Sequence, residues 1–305
     1  MAKLRVYWSN ICLLRKSEEA FLADYAGELD ITYFGLGTPH KLREWVKSDL
    51  DDTGRVNADV IVSTDLDIFQ DTRLLRGKDF FRELETEPVF CSGPFIDKPA
   101  ISTDPCIAVS QILPMCIAAP LSNRDHPASL RELCEPRYKH KVVLGGRDTS
   151  AGRSVVMTLW YLYGEAAARA FLDNAVWTTV PAVARVNLAR GAYPVGILPS
   201  ALCGSGVRAI FPSDGTPAIP TFVAVSKTAA DKPAALAFLG ILFSGPMQRF
   251  YADRAFAVPS SGPLSPLFYP DGTPPRFVYP PDEWLDRFDM ARFTALMDEG
   301  GPVGK

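Results

Sequence analysis

The chain has 305 residues, 47% hydrophobic and 22% charged, with a formal net charge of -3. That length matches two domains of about 100–200 residues, each able to bury its own core, and the composition excludes bulk disorder. No lysine- and arginine-rich tract stands out, so nucleic acid is not an expected partner, whereas one or two local donors are enough to hold an anion in a cleft.

In chain order, the first third alternates strands and helices. Residues 4–9 read as a strand, 18–25 as a helix capped by Ser17, and 30–34 as a second strand. Thr38, Pro39 and His40 open a helix that runs to Asp49, and residues 59–63 form a strand of near-continuous apolar character. A strand of that kind belongs in a parallel sheet covered on both faces, and the βαβαβ opening indicates an α/β fold. Residues 104–121 form one extended stretch, longer than a compact strand of about 5–6 residues. It is expected to leave one lobe and enter the other, and residues 220–226 to return. The expected division is a discontinuous first lobe, 1–112 plus 218–305, and a second lobe, 113–217.

Within the second lobe the pattern gives a short helix at 129–133, a strand at 141–144, a turn from Gly145 to Gly152, and a long helix over 153–172. That helix carries apolar residues at helical spacing (Val156, Leu159, Trp160, Tyr163, Ala167, Phe171). A helix at 183–190 and a strand at 193–198 follow, then helices at 232–243 and 247–251. The proline-rich tail from Pro259 is expected to wrap the first lobe.

Six cysteines are present (Cys12, Cys91, Cys106, Cys116, Cys134 and Cys203), and none forms a CxxC pair, which excludes zinc-ribbon and thioredoxin patterns. Four of them (Cys91, Cys106, Cys116, Cys134) sit in apolar or helical context and read as small buried hydrophobes. The count suits a reducing compartment, although six thiols are also able to pair. Met1-Ala2-Lys3 runs straight into the first strand without a signal segment, so the expectation is a cytoplasmic location if the sequence is complete and a periplasmic one if an export signal was removed. The longest apolar stretch, from Cys106 to Leu121, is interrupted by Ser110, Gln111 and Pro114, so no membrane insertion is expected.

The strongest chemical signal is the strand–loop–helix run from Lys141 to Ser154, which contains Gly145, Gly146, Thr149, Ser150, Gly152 and Arg153. Helix N-termini carry unpaired N–H groups and partial positive charge, which favours anions. It is not a Walker A loop, because five residues separate Gly146 from Gly152 and Arg153 stands in place of lysine. An ordinary capped helix is the alternative. Three further motifs fall at strand ends: Ser9-Asn10; Ser63-Thr64-Asp65, which also reads as a helix cap; and Pro199-Ser200-Ala201-Leu202-Cys203. Ligands of open parallel sheets bind at such ends, and convergence of four motifs from two lobes marks a ligand cleft. Cys12 and Cys203 lie near strand ends, but His40, His126 and His140 fall elsewhere, so neither thiol has an evident base. Asp65 and Asp67 read as turn acids.

Several segments resemble the type II periplasmic binding proteins, in particular the extracellular solute-binding family that includes ferric-iron binding proteins. They are Ala58-Asp59-Val60 leading to Ser63, Ser129 through Glu135-Pro136-Arg137-Tyr138-Lys139 to Val142, Thr149-Ser150-Ala151-Gly152, Tyr193-Pro194-Val195-Gly196, and Ser244-Gly245-Pro246-Met247-Gln248. The resemblance implies a two-lobed fold of mixed sheets flanked by helices, joined by two hinge crossover strands, and a monomer that closes on a small molecule or ion without a cofactor. It further implies delivery of that ligand to the permease of an ABC importer. It does not carry over the ferric site, since adjacent tyrosines are replaced here by Pro199-Ser200-Ala201-Leu202-Cys203. The ligand-binding residues expected are Ser9, Asn10, Ser63, Thr64, Thr149, Ser150, Gly152, Arg153, Ser200 and Cys203, with no catalytic or metal-ligating residue and an anionic or carboxylate-bearing ligand. Two other readings stay open: a cleft-cysteine enzyme on the same fold, similar to thiaminase, using Cys12 or Cys203; and a cytosolic sensor or carrier.

Overall fold

The computed structural model describes residues 3–9, 14–23, 29–34, 41–71, 74–75, 80–84, 104–254, 258–259 and 275–300. Asn10, Cys12, Cys91 and the start of the helix expected at Thr38–His40 lie outside them. The chain divides into two compact units, Met1–Ile112 with Pro220–Leu264, and Leu113–Ile219 with Ser265–Lys305.

The first unit begins with β1 (Leu4–Ser9), α1 (Arg15–Leu22), β2 (Leu29–Tyr33), α2 (Leu42–Thr53), β3 (Val60–Ser63) and the single turn α3 (Leu66–Phe69). β1 lies between β2 and β3, parallel to both, with Leu4 opposite Leu29 and Ser9 opposite Ser63. All four residues of β3 are buried, as its apolar run requires. Its core joins Trp8, Val60 and Val62 to Val223, Phe238 and Tyr251. α1 starts earlier than expected, at Arg15, with Leu14 rather than Ser17 at the N-cap position. Ser17 N and Glu18 N both donate to Leu14 O, at 2.9 and 2.8 Å, which begins the helix there, and Glu18, fully buried, accepts from Trp8 Nε1 at 3.3 Å and Tyr251 Oη at 3.1 Å. A buried carboxylate needs such donors, and satisfying it fixes the register of the helix.

Two strands pass from one unit to the other: β4 (Ala108–Pro120) and, later in the chain, residues 216–225. The second unit contains β5 (Val142–Gly145), α4 (Ser150–Tyr163), α5 (Glu165–Asn174), β6 (Ala175–Thr178), α6 (Pro181–Ala189), β7 (Val195–Pro199) and β8 (Val207–Ile210). The returning strand is β9 (Thr216–Val225), followed in the first unit by α7 (Lys232–Leu242), α8 (Gly245–Arg254) and β10 (Val258–Pro259). β11 (Phe277–Val278), α9 (Asp282–Leu285) and α10 (Met290–Glu299) complete the second unit. In the first unit β9 runs antiparallel to β3. In the second, β5 is parallel to β6 and β7, and β4 is antiparallel to β7 and β8. The mixed sheet and flanking helices are those expected of the α/β class.

Three expectations for the second unit need correction. The helix expected over 153–172 is two helices: Gly164, at φ 81°, ends α4 with its N–H on Trp160 O, and α5 restarts at Glu165. The four-residue β6 was hidden by the apolar spacing that runs up to it. The tail does not wrap the first unit throughout, because its last helices pack on the second. Phe288 and Phe293 meet Trp160, Trp284 meets Tyr161, and Arg169–Glu299 and Arg292–Glu165 pair at the edge. Covering the aromatic face of α4 is the physical reason.

Candidate functional site

In the first unit the structure brings Ser9, Ser63 and Thr64 together at the carboxyl ends of neighbouring parallel strands. Ser9 and Ser63 are register partners, and Thr64 N donates to Ser9 O at 2.8 Å. Ser63 is fully buried, and its Oγ accepts from Asp65 N at 2.9 Å. The Ser63 hydroxyl thus closes a turn immediately before α3. At the other end of the same strands, Arg5 fastens Asp59: Arg5 Nη2 lies 3.2 Å from Oδ1, and Arg5 N donates to Oδ2 at 2.9 Å. Ala230 N adds a contact to Oδ1 at 3.3 Å. Burial pushes the Asp59 carboxyl up, but the hydrogen bonds and charge of Arg5, with Ala230, outweigh it and hold it below the usual range. The aspartate of the Ala58-Asp59-Val60 segment thus braces the scaffold below the site.

In the second unit, parallel β5 and β7 deliver two loops to the same sheet edge. The loop after β5 carries Thr149 at the N-cap of α4 and Ser150 at its first position. Thr149 makes no side-chain cap bond; its hydroxyl donates instead to Gly146 O at 2.7 Å. The first turn of α4 holds no acidic residue. A helix of fourteen residues thus presents its N-terminal end without a side-chain carboxylate or hydroxyl cap from Thr149. The loop after β7 carries Ser200 in a single 3-10 turn that closes with Cys203 N on Ser200 O at 3.0 Å.

Three of the expected ligand residues have close contacts within the second unit itself. Arg153 is buried and turns to the C-terminal helix: Nη2 lies 3.4 Å from Thr294 Oγ1 and 3.6 Å from Met290 Sδ, with the guanidinium 4.8 Å above the Phe293 ring. Gly152 is a packing residue, since a Cβ there would meet Gly146 O and Trp177 Cζ3, each at 2.7 Å. The Cys203 sulfur sits 3.4 Å from the sulfur of Cys116, a pairing that their distance in sequence concealed. Among the described residues, no group of three or more His, Cys, Asp and Glu is placed to hold a metal. No helix among them is long and apolar enough to cross a membrane.

The chain is similar in fold to solved binding proteins over nearly its whole length. The ferric binding protein from Campylobacter jejuni superposes with a TM-score of 0.77 at 15% identity, covering 97% of this chain and 99% of that one. The periplasmic binding protein AfuA from Actinobacillus pleuropneumoniae, solved with fructose-6-phosphate, gives 0.72 at 17% identity, covering 97% of each chain. Iron-bound HitA from Pseudomonas aeruginosa gives 0.74 at 15% identity, covering 98% and 99%. No curated protein sequence matches the chain. The model of the bacterial extracellular solute-binding protein family matches residues 57–278. That match takes in most of the chain and both strand-end clusters apart from Ser9, and the chain belongs to the bacterial extracellular solute-binding protein family.

Proposed function

We propose that the protein is the solute-binding component of an ABC importer and that its ligand is a small anion, a phosphate ester or carboxylate. Hinge motion at the crossover strands β4 and β9 would close it on the solute, with hydroxyl and N–H donors drawn from both units. The proposed donors are Ser9, Ser63 and Thr64 from the first, and Thr149, Ser150 and Ser200 from the second, with Asn10 retained as a sequence expectation. The observation that carries the anionic reading is the N-terminus of α4, where the Thr149 hydroxyl turns to Gly146 O and no carboxylate occupies the first turn. Its counterpart after β7 offers Ser200 and no phenol, which favours an oxyanion over a ferric ion. A relative of the same fold solved with a sugar phosphate is consistent with that chemistry. Binding is favoured over cysteine catalysis because Cys203 is engaged with Cys116 rather than with a base.

Ser150→Asp is the direct test. A carboxylate in the first turn favours the helix but repels an anion. Calorimetric affinity for the best-binding anion should fall at least tenfold while the melting temperature stays level or rises. Unchanged affinity would place the anion elsewhere.

A further inference from the structure

Cys116 and Cys203 are 87 positions apart in sequence, yet their sulfurs lie 3.4 Å from each other. The approach is built into the backbone. Cys116 is fully buried in β4, opposite Leu198 of β7, and its neighbour Ile117 is bonded in register to β8 as well. Cys203 belongs to the segment joining β7 to β8, and Gly204 and Val207 bridge at its close. Both arms of that segment are thus held by the strand that carries Cys116, and the turn over Ser200–Leu202 points the second thiol back at the first. Cys203 itself is only half-buried, so a reagent has one sulfur to reach.

We propose that Cys116 and Cys203 form a reversible disulfide, so that the segment carrying Ser200 is a redox-responsive element fastened to the crossover strand β4. A bond length of about 2.05 Å needs the two sulfurs to approach by a little over an ångström, which side-chain rotation of Cys203 supplies. The oxidant is a small disulfide such as glutathione disulfide. The Cys203 thiolate attacks one of its sulfurs, forming a mixed disulfide and expelling one glutathione thiolate. Cys116 then gives up its proton and attacks the Cys203 sulfur, expelling the second. Two protein thiols lose two electrons and two protons, and glutathione disulfide becomes two glutathione thiols. Hydrogen bonding with Cys203, followed by burial, holds the Cys116 thiol well above its ordinary range, so the first attack falls to the half-buried Cys203 and Cys116 reacts only with the sulfur already beside it. The bond does not depend on which solute the protein binds.

The experiment uses the full chain, incubated with glutathione disulfide, blocked with N-ethylmaleimide, digested and mapped by mass spectrometry. The expected product is a cross-linked peptide pair containing Cys116 and Cys203, reversed by dithiothreitol. Closing so long a loop should raise the melting temperature by at least about 4 °C, and Cys203→Ser should abolish the rise. A stable glutathione adduct on Cys203 without the cross-link would overturn the proposal, as would bonds that join other cysteines instead. If Cys203→Ser fails to fold, the peptide map of the unaltered chain decides alone.

Discussion

Ser9 and Ser63 stand opposite each other at the carboxyl ends of β1 and β3, and Thr64 N binds the carbonyl of Ser9 at 2.8 Å. Two strands thereby place three small polar residues at one edge. Ser63 also closes the turn just before α3 through Asp65 N. Ser63→Ala should therefore cost about 1 kcal/mol in urea unfolding, the size of one lost buried hydrogen bond. An unchanged midpoint would mean that Asp65 N finds another acceptor.

Arg153 separates helix packing from ligand binding. Its guanidinium rests on Phe293, Thr294 and Met290, so Arg153→Ala should lose packing and leave a cavity. We expect a stability loss of about 2–3 kcal/mol and faster amide exchange in α10, with solute affinity changed less than twofold. A large affinity loss at unchanged stability would return Arg153 to the site.

Gly152→Ala sets two effects against each other. Helix propensity alone favours alanine by about 1 kcal/mol. The new Cβ, however, would stand 2.7 Å from both Gly146 O and the Trp177 ring, and 3.1 Å from Arg147 Cα, so backbone must move. Overpacking of this kind costs about 1–3 kcal/mol, and the net effect should be destabilising. A rise in melting temperature would contradict the close packing of the loop.

The pH dependence follows from Asp59. Its carboxyl is held below the usual range when folded, so its contribution is fully present above the unfolded pKa of about 4 and is lost as pH falls through the folded value. Melting temperature should drop with acidification in that window, and Asp59→Asn should flatten the slope while lowering stability at neutral pH. Equal slopes in the two proteins would show that other carboxylates govern acid unfolding.

Strands β1 and β3 and the loop after β5 were legible because apolar runs ending in small polar residues have few other readings. The break at Gly164 was not, since apolar spacing continues across it from Tyr163 to Ala167. The contacts of Arg153 were not legible for a related reason. Arg153 and Trp160 are seven residues apart and share a helix face, and that face is covered by Phe293 of the tail. Once the tail is assigned to the first lobe, that face looks open and an arginine on it looks like a ligand donor. Asp59 was legible as part of a motif, but its partner Arg5 was not, because a parallel register alone brings them together.

Isothermal titration of the purified chain with fructose-6-phosphate, inorganic phosphate, citrate and ferric citrate tests the central claim most directly. The account predicts saturable, one-to-one binding of at least one metal-free anion, weakened at least tenfold by Ser150→Asp. Binding of ferric ion alone, or anion binding that Ser150→Asp leaves intact, would contradict it.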